Sequence, residues 1–484
     1  MIRPAVVINN LGFLLLIIGL AMLTCIPWSI IYREPVTGSL LLAAVITIGS
    51  GLMLKIFFAT SEKINIKESF ALVGLGWILA STAGSLPFWF SDYLSFADAF
   101  FETASGFSTT GATVIQDVEV WPKGLMFWRC LTQWLGGMGI IVLFIAIIAG
   151  TGARGNQLFQ SELPGGSFQD KISPRVRETA QKLWKTYIVL SGVCLLLLLI
   201  FGMDLFDALC HTFTTLATGG FSTKNASIAY YNSPFIHWTI IIFMFLGGTN
   251  FSLHYLAFKK RNPPKVYGES PEFKLYAAII LLASIMVIIG LSHPSLHLSW
   301  DDKVRTAIFH VVSIITTTGF TVDNYHYWPS GAAGVIFLLM FSGGCIGSTS
   351  GNIKVGRYLI MMVRSINELK KMIHPKAVLP LRFGGRILNE DRVSNIAQFF
   401  FLYIMLIVIG VVILTILGID LFSSLTAAVA CLGNVGPGFG MVGPNGNYSF
   451  MPDVAKYMLS ILMLIGRLEI FPLLLLLLPE YWKQ

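Results

Sequence analysis

The feature that most constrains this chain is a series of long apolar windows without charge. Nine windows lack Asp, Glu, Lys and Arg, and their lengths approach or exceed the roughly 20 residues that a helix needs to cross a bilayer. They are 4–32, 35–54, 69–91, 130–153, 186–203, 225–258, 275–300, 324–353 and 393–419. A tenth apolar window, 457–479, carries Arg467 and Glu469. The pattern predicts an all-α membrane protein with ten transmembrane helices.

The composition excludes most other classes of protein. Hydrophobic residues make up 55% of the chain and charged residues only 12%, about half the share that soluble proteins carry. This argues against a soluble enzyme, a disordered scaffold and a nucleic-acid partner. No motif arranges a nucleophile or a dense set of metal ligands, and no glycine-rich phosphate loop follows a strand. We therefore predict no enzymatic activity and no cofactor in this chain.

The basic residues predict the orientation. Of the 33 Lys and Arg residues, only six fall in the outer connections if the N-terminus lies in the cytoplasm. The positive-inside rule then puts both termini in the cytoplasm. Acidic residues such as Asp117 and Asp323 collect on the outer side, where they could concentrate cations. The alternative is that the outer side simply tolerates acids, since the rule concerns basic residues.

A fourfold repeat is hidden in the outer connections. Four segments align without gaps on one glycine each, here called the key glycines: Gly111, Gly220, Gly319 and Gly436. The residues thirteen positions earlier are all polar and suited to the start of a helix: Asp98, Asp207, Thr306 and Ser423. A second glycine follows each key glycine inside the next window: Gly136, Gly247, Gly343 and Gly466. Each repeat is predicted to be a helix, a short half-helix, a loop and a second helix.

Each repeat crosses the membrane twice, so all four are parallel and can surround one central pore. The predicted units are a two-helix N-terminal extension, repeat one, repeat two with a cytoplasmic linker, repeat three with a gating loop, and repeat four. Their boundaries are 1–67, 68–153, 154–265, 266–378 and 379–484. Inverted repeats of the kind found in rocking transporters are not seen.

The loops at the key glycines are the candidate cation-binding site. Non-helical backbone at membrane depth is tolerated where it is buried or lines water, and rings of carbonyl oxygens can replace a cation's hydration shell. The predicted ligands carry no charge, which suits a monovalent cation: Thr109, Thr110, Gly111, Thr218, Gly219, Gly220, Thr317, Thr318, Gly319, Asn434, Val435 and Gly436. The alternative is that the glycines only permit tight turns in a packed bundle.

The sequence resembles the Trk/Ktr/HKT superfamily of potassium transporters, in particular its bacterial TrkH/TrkG branch. The stretches that carry the resemblance are TTGATV at 109–114, GGFST at 219–223, TTTGF at 316–320, GGCIGSTSG at 343–351 and GRLEIF at 466–471. The resemblance implies potassium uptake across the bacterial inner membrane, a homodimer, and a ring of cytoplasmic TrkA-type nucleotide-binding subunits. The competing hypothesis is a secondary symporter that couples potassium to protons or sodium.

The resemblance also implies a gate inside the membrane. Residues 342–352 read SGGCIGSTSGN, a poor helix by propensity. The candidate gate residues are Gly343, Gly344, Gly347, Ser348, Thr349, Ser350, Gly351 and Arg467. We expect Arg467 to bond loop carbonyls in the closed state, and the alternative is a structural ion pair. Ser350 and Asn352 stand where glycine-richer relatives have glycine.

Three titratable residues share one register, nine positions before the key glycine: Glu102, His211 and His310, with Ala427 in the fourth repeat. They could brace the half-helices by hydrogen bonding, couple protons or bind a metal, and bracing is the commonest role of such residues. The cytoplasmic linkers 154–185 and 364–395 are rich in basic residues. That charge follows from topology alone or serves to dock a partner.

Overall fold

We describe a computed structural model, which covers residues 2–60, 62, 64–139, 176–292, 299–384 and 386–483. Most of the described chain is helical. The end of the fourth predicted window, 140–153, and most of the linker 154–185 lie outside the described residues.

The first part of the chain contributes the N-terminal extension and repeat one. Its helices are α1 (Pro4–Leu23), α2 (Ile26–Ile31), α3 (Thr37–Phe57), α4 (Ile66–Phe90), α5 (Phe96–Phe107) and α6 (Lys123–Gly137). Helices α1 and α3 pack closely because two glycines face each other, and a Cβ on Gly12 would lie 2.8 Å from the Gly51 carbonyl oxygen. The Glu34 carboxylate accepts from the backbone N–H of Lys123 and Gly124, which ties the extension to the start of α6.

Repeats two and three follow after the undescribed segment. Repeat two holds α7 (Val176–Ile200), α8 (Leu205–Leu216), α9 (Pro234–Gly247), α10 (Phe251–Lys260) and α11 (Pro263–Gly268). Repeat three holds α12 (Pro271–Leu291), α13 (Trp300–Ile315), α14 (Ser330–Leu339) and α15 (Val355–Ile373). Short 3₁₀ turns at Ser227–Tyr230 and Tyr325–Tyr327 lie in the loops after the key glycines.

Repeat four completes the fold. It holds α16 (Glu390–Ile416), α17 (Leu421–Leu432), the 3₁₀ turn Gly440–Val442, α18 (Asp453–Arg467), α19 (Phe471–Leu476) and α20 (Pro479–Lys483). The prediction of an all-α fold misses one small element. Strands β1 (Arg382–Phe383) and β2 (Arg386–Ile387) form an antiparallel ribbon, and the chain around it covers a small apolar cluster that includes Ile360 and Ile396.

Six helical stretches are long and apolar enough to cross a membrane: Pro4–Ile31, Thr37–Phe57, Lys67–Phe90, Ala180–Ile200, Pro271–Leu291 and Glu390–Ile416. They coincide with six of the ten predicted windows. Helices α9 and α10, bent by 98° at the break between them, make a seventh if the pair counts as one span. In the other windows the described helices end inside the window, so the count of ten crossings stays a prediction.

The half-helices of the four repeats share one design. Helices α5, α8, α13 and α17 all end four residues before their key glycine. The polar residues predicted to start them lie in the first turn of three of these helices. The caps come three positions earlier, where the side chains of Ser95, Asp204 and Asp420 accept the backbone N–H of those polar residues. In repeat three Ser299 is the cap, which makes α13 one turn longer.

Two of the second glycines, Gly136 and Gly466, explain how the two halves of repeats one and four meet. A Cβ on Gly136 would overlap the carbonyl oxygen of Phe107 at the end of α5, and one on Gly466 would overlap that of Leu432 at the end of α17. Only glycine allows the second helix to approach this closely. The second helix therefore supports the carboxyl end of the half-helix, where the backbone turns toward the key glycine.

Candidate functional site

The four segments that end at the key glycines, 109–111, 218–220, 317–319 and 434–436, are here called the filter segments. In each, the first residue has a positive φ: 54° at Thr109, 52° at Thr218, 58° at Thr317 and 54° at Asn434. The key glycines are also left-handed, with φ between 76° and 94°. These values are unusual for threonine and asparagine. Four repetitions of the same rare backbone indicate one shared structural requirement.

That backbone closes the end of each half-helix. In repeat one the N–H of Thr110 donates to the Ser105 carbonyl at 2.9 Å, and the N–H of Thr109 donates to that of Gly106 at 3.0 Å. The same two bonds recur in the other three repeats. This is the Schellman pattern, in which a left-handed residue ends the helix. The half-helix carbonyls are thus satisfied internally, while its negative dipole end faces the filter segments.

The filter segments contact one another in a closed cycle. A Cβ added to any key glycine would point at a backbone carbonyl oxygen of the next repeat. That oxygen belongs to the residue that comes directly before the next repeat's key glycine. The pairs are Gly111 with Gly219, Gly220 with Thr318, Gly319 with Val435, and Gly436 with Thr110. A Cβ on Gly436 would lie 2.6 Å from the Thr110 oxygen, and the other three contacts are closer still. The predicted filter residues therefore meet, in the order one, two, three, four, one.

All four key glycines line a single cavity of about 360 Å³, here called the mouth cavity. Its remaining lining consists mainly of neutral polar and backbone groups, including Thr113, Ser222, Asn445 and Asn447. The ring therefore has one common approach on this side. A cation here meets oxygen atoms without formal charge.

The charged residues in this lining are basic, which differs from the expected negative mouth. Arg129 and Lys224 line the cavity, and each is neutralised by an acid. Arg129 pairs with Glu102 at 2.6 Å, and Lys224 with Asp207 at 3.0 Å. Nearby, the Asn225 amide donates to Asp117 at 2.7 Å and holds the pKa of that carboxyl below its usual range.

The three titratable residues behind the filter brace it. Glu102 accepts from the Thr113 hydroxyl at 2.9 Å and the Val114 N–H at 3.0 Å. His211 and His310 bond the loops after their own key glycines, at the Ser222 hydroxyl (3.0 Å) and the Asp323 carbonyl (3.0 Å) respectively. Each side chain thus ties a half-helix to the loop that follows it.

Repeat four, which has Ala427 in this register, uses two neutral hydroxyls in place of a titratable brace. Thr426 donates to the Phe439 carbonyl at 2.9 Å, and Tyr448 donates to the Gly436 carbonyl at 2.9 Å. Among the residues that the structure describes, no group of three His, Cys, Asp or Glu could hold a metal ion.

The glycine-rich loop 342–352 lies directly against the base of the filter. Its Thr349 hydroxyl is 3.2 Å from that of Thr218, and its Gly351 N–H donates to the Thr317 hydroxyl at 2.7 Å. A Cβ on Gly351 would lie 2.8 Å from the Asn434 side-chain oxygen. The loop therefore contacts the first residue of three filter segments. The fourth, Thr109, keeps a buried hydroxyl with no hydrogen-bond partner.

Arg467 joins the loop to repeat one. Its guanidinium donates to the Thr349 carbonyl at 2.6 Å, and to the carbonyls of Gly136 and Gly137 at 2.7 and 2.6 Å. The second set of contacts was not foreseen. The end of α6 exposes these carbonyls because the helix stops there. Glu469, two residues further along, pairs with Arg357.

The remaining predicted gate residues stabilise the loop internally. The Ser350 hydroxyl accepts from the Gly344 N–H at 2.9 Å and lies 2.7 Å from that of Ser348. Gly347 has a φ of 75° and its carbonyl accepts from the Phe251 N–H at 3.0 Å. A Cβ on Gly343 would overlap the Gly351 carbonyl oxygen. Ser350 therefore contributes contacts that hold the loop in shape.

Two anchors of this loop escaped the sequence analysis. Glu272, at the start of α12, accepts from the N–H of Ile346 at 2.7 Å and of Gly356 at 2.9 Å. The buried Lys354 ammonium donates to the Ser350 carbonyl. A single acid at the start of an apolar window gives no signal of such a role, because helices commonly begin with acidic residues.

Known transport proteins resemble this chain over most of its length. A family model described as "TrkH: Cation transport protein" matches residues 40–483. The chain is 39% identical over 424 residues to the Trk system potassium uptake protein TrkH of Escherichia coli (strain K12), covering 87% of each chain. It is 33% identical over 489 residues to the Trk system potassium uptake protein TrkG of the same strain, covering 99% of each.

A solved structure is similar over the whole length. The crystal structure of the potassium transporter TrkH from Vibrio parahaemolyticus superposes with a TM-score of 0.89 at 35% identity, covering 99% of this chain and 100% of that one. The resemblance that the sequence motifs indicated is thereby confirmed.

Proposed function

Because this chain belongs to the TrkH family of cation transport proteins, we propose that it takes up potassium through a carbonyl filter built from its four repeats. The observation that carries the proposal is the closed cycle of contacts between each key glycine and the next repeat's carbonyl. A cycle of four equivalent loops defines one axis. Neutral carbonyl and hydroxyl oxygens along that axis suit a monovalent ion that must bind and then leave.

The glycine-rich loop is the gate in this proposal. It contacts three of the four filter segments from the side opposite the mouth cavity. Arg467 holds it shut through Thr349 while its other bonds fasten it to the end of α6. Opening requires the loop to leave the axis, so these bonds must break together. In this proposal the closed loop is the resting state.

A channel is favoured over a proton-coupled symporter by the state of the titratable groups near the filter. Glu102 is paired with Arg129, and both ring nitrogens of His211 and of His310 have partners within the same repeat. A proton relay needs groups that can exchange partners during the cycle. Structural braces instead keep fixed partners within their own repeat, as these residues do.

The assembly in this proposal lies in the bacterial inner membrane as a homodimer, with both termini in the cytoplasm. The distribution of basic residues supports that orientation. A cytoplasmic nucleotide-binding subunit of the TrkA type would supply the energy that moves the loop, since this chain carries no phosphate-binding motif of its own. The Trk system names of the relatives support association with other components.

The first test is rubidium and sodium flux into liposomes that contain this chain, with Gly111→Ser as the paired variant. A serine side chain at Gly111 would meet the Gly219 carbonyl and disturb one side of the ring. We expect flux of rubidium over sodium, with discrimination reduced in the variant. Equal flux of both ions in the native chain contradicts the filter.

The second test separates channel from symporter. With a potassium gradient imposed, the reversal potential of a channel follows the potassium equilibrium potential at every pH and sodium concentration. A shift of the reversal potential with pH or sodium contradicts the channel and favours the symporter. If the chain alone is shut, the same measurement is made after adding a TrkA-type subunit.

A further inference from the structure

A second cavity of about 290 Å³, here called the side cavity, lies behind the glycine-rich loop, away from the filter. Helices α10 and α12, the loop residue Ile346 and the β ribbon line it. Lys260 and Glu269 stand exposed at its edge, while Ser252 and Glu272 line it and are only 4% and 6% exposed. The cavity thus connects solvent to the carboxylate that anchors the loop.

Two oxygen atoms in this cavity have unused bonding capacity. The Ser252 hydroxyl is buried without a hydrogen-bond partner. Glu272 commits Oε1 to the N–H groups of Ile346 and Gly356, and no described residue donates to its Oε2. Buried polar atoms are nearly always satisfied, so the Ser252 hydroxyl calls for a bound water or ion.

The basic side chains that the structure describes near the cavity do not donate a hydrogen bond to the Oε2 atom of Glu272. Lys354 donates to the backbone and side chain of Ser350, and Arg357 is paired with Glu469. Lys260 is exposed at the cavity edge. Lys354 and Arg357 attract the Glu272 carboxylate through space, but their hydrogen bonds go to other groups, so the Oε2 atom of Glu272 is left to a positive ligand from the cavity.

We propose that the side cavity binds a monovalent alkali cation between Glu272 Oε2 and the Ser252 hydroxyl. One buried carboxylate and one hydroxyl suit a singly charged ion, whereas a divalent ion favours several carboxylates. The available volume accommodates the cation with part of its water shell, at about 30 Å³ per water.

The consequence for transport rests on the proposed function of the loop as a gate. A cation on Oε2 keeps Glu272 ionised in its buried position, where it bonds Ile346 and Gly356. Occupancy therefore stabilises the closed loop. With the predicted orientation the side cavity faces the cytoplasm, so potassium that has accumulated inside the cell slows its own uptake.

The direct test is anomalous diffraction from crystals of the full chain soaked in rubidium chloride. We expect one peak in the side cavity in addition to peaks at the filter segments. Glu272→Gln should remove the side-cavity peak and keep the filter peaks. Filter peaks without a side-cavity peak, meaning water only, overturn this inference and leave the proposed function intact. Absence of the filter peaks counts against the proposed function whatever the side cavity holds.

A matched pair of variants tests the effect on transport. Ser252→Ala removes a hydroxyl of α10 that lines the cavity. Ser284→Ala removes a hydroxyl of α12 that also has no partner but does not line the cavity. We expect potassium on the loop side to inhibit rubidium flux in the native chain and in Ser284→Ala. Ser252→Ala should need about three- to tenfold more potassium for the same inhibition. Identical inhibition in both variants, or none in the native chain, contradicts the proposal.

Discussion

The filter segments are nearly identical in backbone in the four repeats, whereas the second helices that follow them vary from repeat to repeat. The four filter segments share one backbone, one pair of helix-ending bonds and one contact with the next repeat. The second helices are less uniform: α6 and α18 have 15 residues each and end one residue after the second glycine, whereas α9 bends by 98° into α10 and α14 has only ten residues. The four repeats are alike in the filter segments, where an ion would be held. They differ in the second helices and the glycine-rich loop, where a gate would move.

The physical reason lies in how the contacts are shared. In the ring, each segment touches two others, so a change in one disturbs both neighbours. Below the ring, the glycine-rich loop belongs to repeat three alone and contacts the other repeats asymmetrically. One movable segment is sufficient to block a shared axis.

The largest effect is expected when the equivalence of the ring is destroyed. Gly220→Ala combines a left-handed backbone, worth about 1–2 kcal/mol, with overlap on the Thr318 carbonyl oxygen, worth about 1–3 kcal/mol. Rubidium flux should fall by roughly 100-fold. Gly331→Ala, on an open face of α14, is the control and should leave the flux unchanged. A Gly220→Ala chain with native flux contradicts the ring.

The next effect distinguishes the braces behind the ring. Arg129→Met leaves the Glu102 carboxylate buried without its partner, which should lower the free energy of unfolding by about 3–5 kcal/mol. Denaturant unfolding in detergent measures the loss. Adding Glu102→Gln to the same chain should recover part of it. His211→Asn, which affects neutral hydrogen bonds, should cost only about 1 kcal/mol; equal losses in repeats one and two would contradict this ranking.

A smaller change in flux is expected when the contacts of Arg467 with the glycine-rich loop are removed. Arg467→Gln removes charged bonds to the Thr349, Gly136 and Gly137 carbonyls. Each such bond contributes about 1.5–3 kcal/mol, and they hold the loop shut in the proposed mechanism. Resting flux should rise at least tenfold, roughly the effect of 1.4 kcal/mol. Arg467→Lys keeps the positive charge but not the planar set of N–H donors. Its resting flux should therefore lie between that of the native chain and that of Arg467→Gln. Unchanged flux and unchanged regulation in both variants contradict the gating role.

The smallest effect is expected at Thr218 and Thr109. These residues occupy the same position in their filter segments, but only Thr218 contacts the glycine-rich loop. Thr218→Val loses the contact with the Thr349 hydroxyl and a bond to the neighbouring Ala217 carbonyl, whereas Thr109→Val loses no hydrogen bond. Resting flux should rise about two- to tenfold in the first variant only. Both replacements are β-branched at a similar positive φ, so backbone strain is matched. Equal flux in the two variants would show that the loop does not use Thr218.

The sequence predicted the ring better than the gate, and the reason is local. The key glycines and the ends of the half-helices depend on residues within a few positions of each other, so an alignment of four short segments reveals them. It also led to the bracing role of Glu102, His211 and His310. It could not reveal that each key glycine faces the carbonyl of the next repeat, because three of these contacts span about a hundred residues and the fourth spans more than three hundred.

The breaks in the second helices were harder to anticipate. Apolar windows measure hydrophobicity over about 20 residues, and they do not detect where a helix ends inside the window. The signal was present in Gly136 and Gly247, next to which α6 and α9 stop. Glu272 gave no signal at all, because its partners are backbone N–H groups of a distant loop.

The cyclic contact also has a consequence for biogenesis. The Asn434 amide donates to the Thr110 hydroxyl across 324 residues of chain, beside the contact that joins the last filter segment to the first. The cycle cannot close until the ribosome has released nearly the whole polypeptide. Until then the earlier half-helices lack their final neighbour, and contacts of such long range form slowly. A chain that ends before Gly436 therefore lacks the segment that closes the cycle, and its first filter segment has no contact with a fourth.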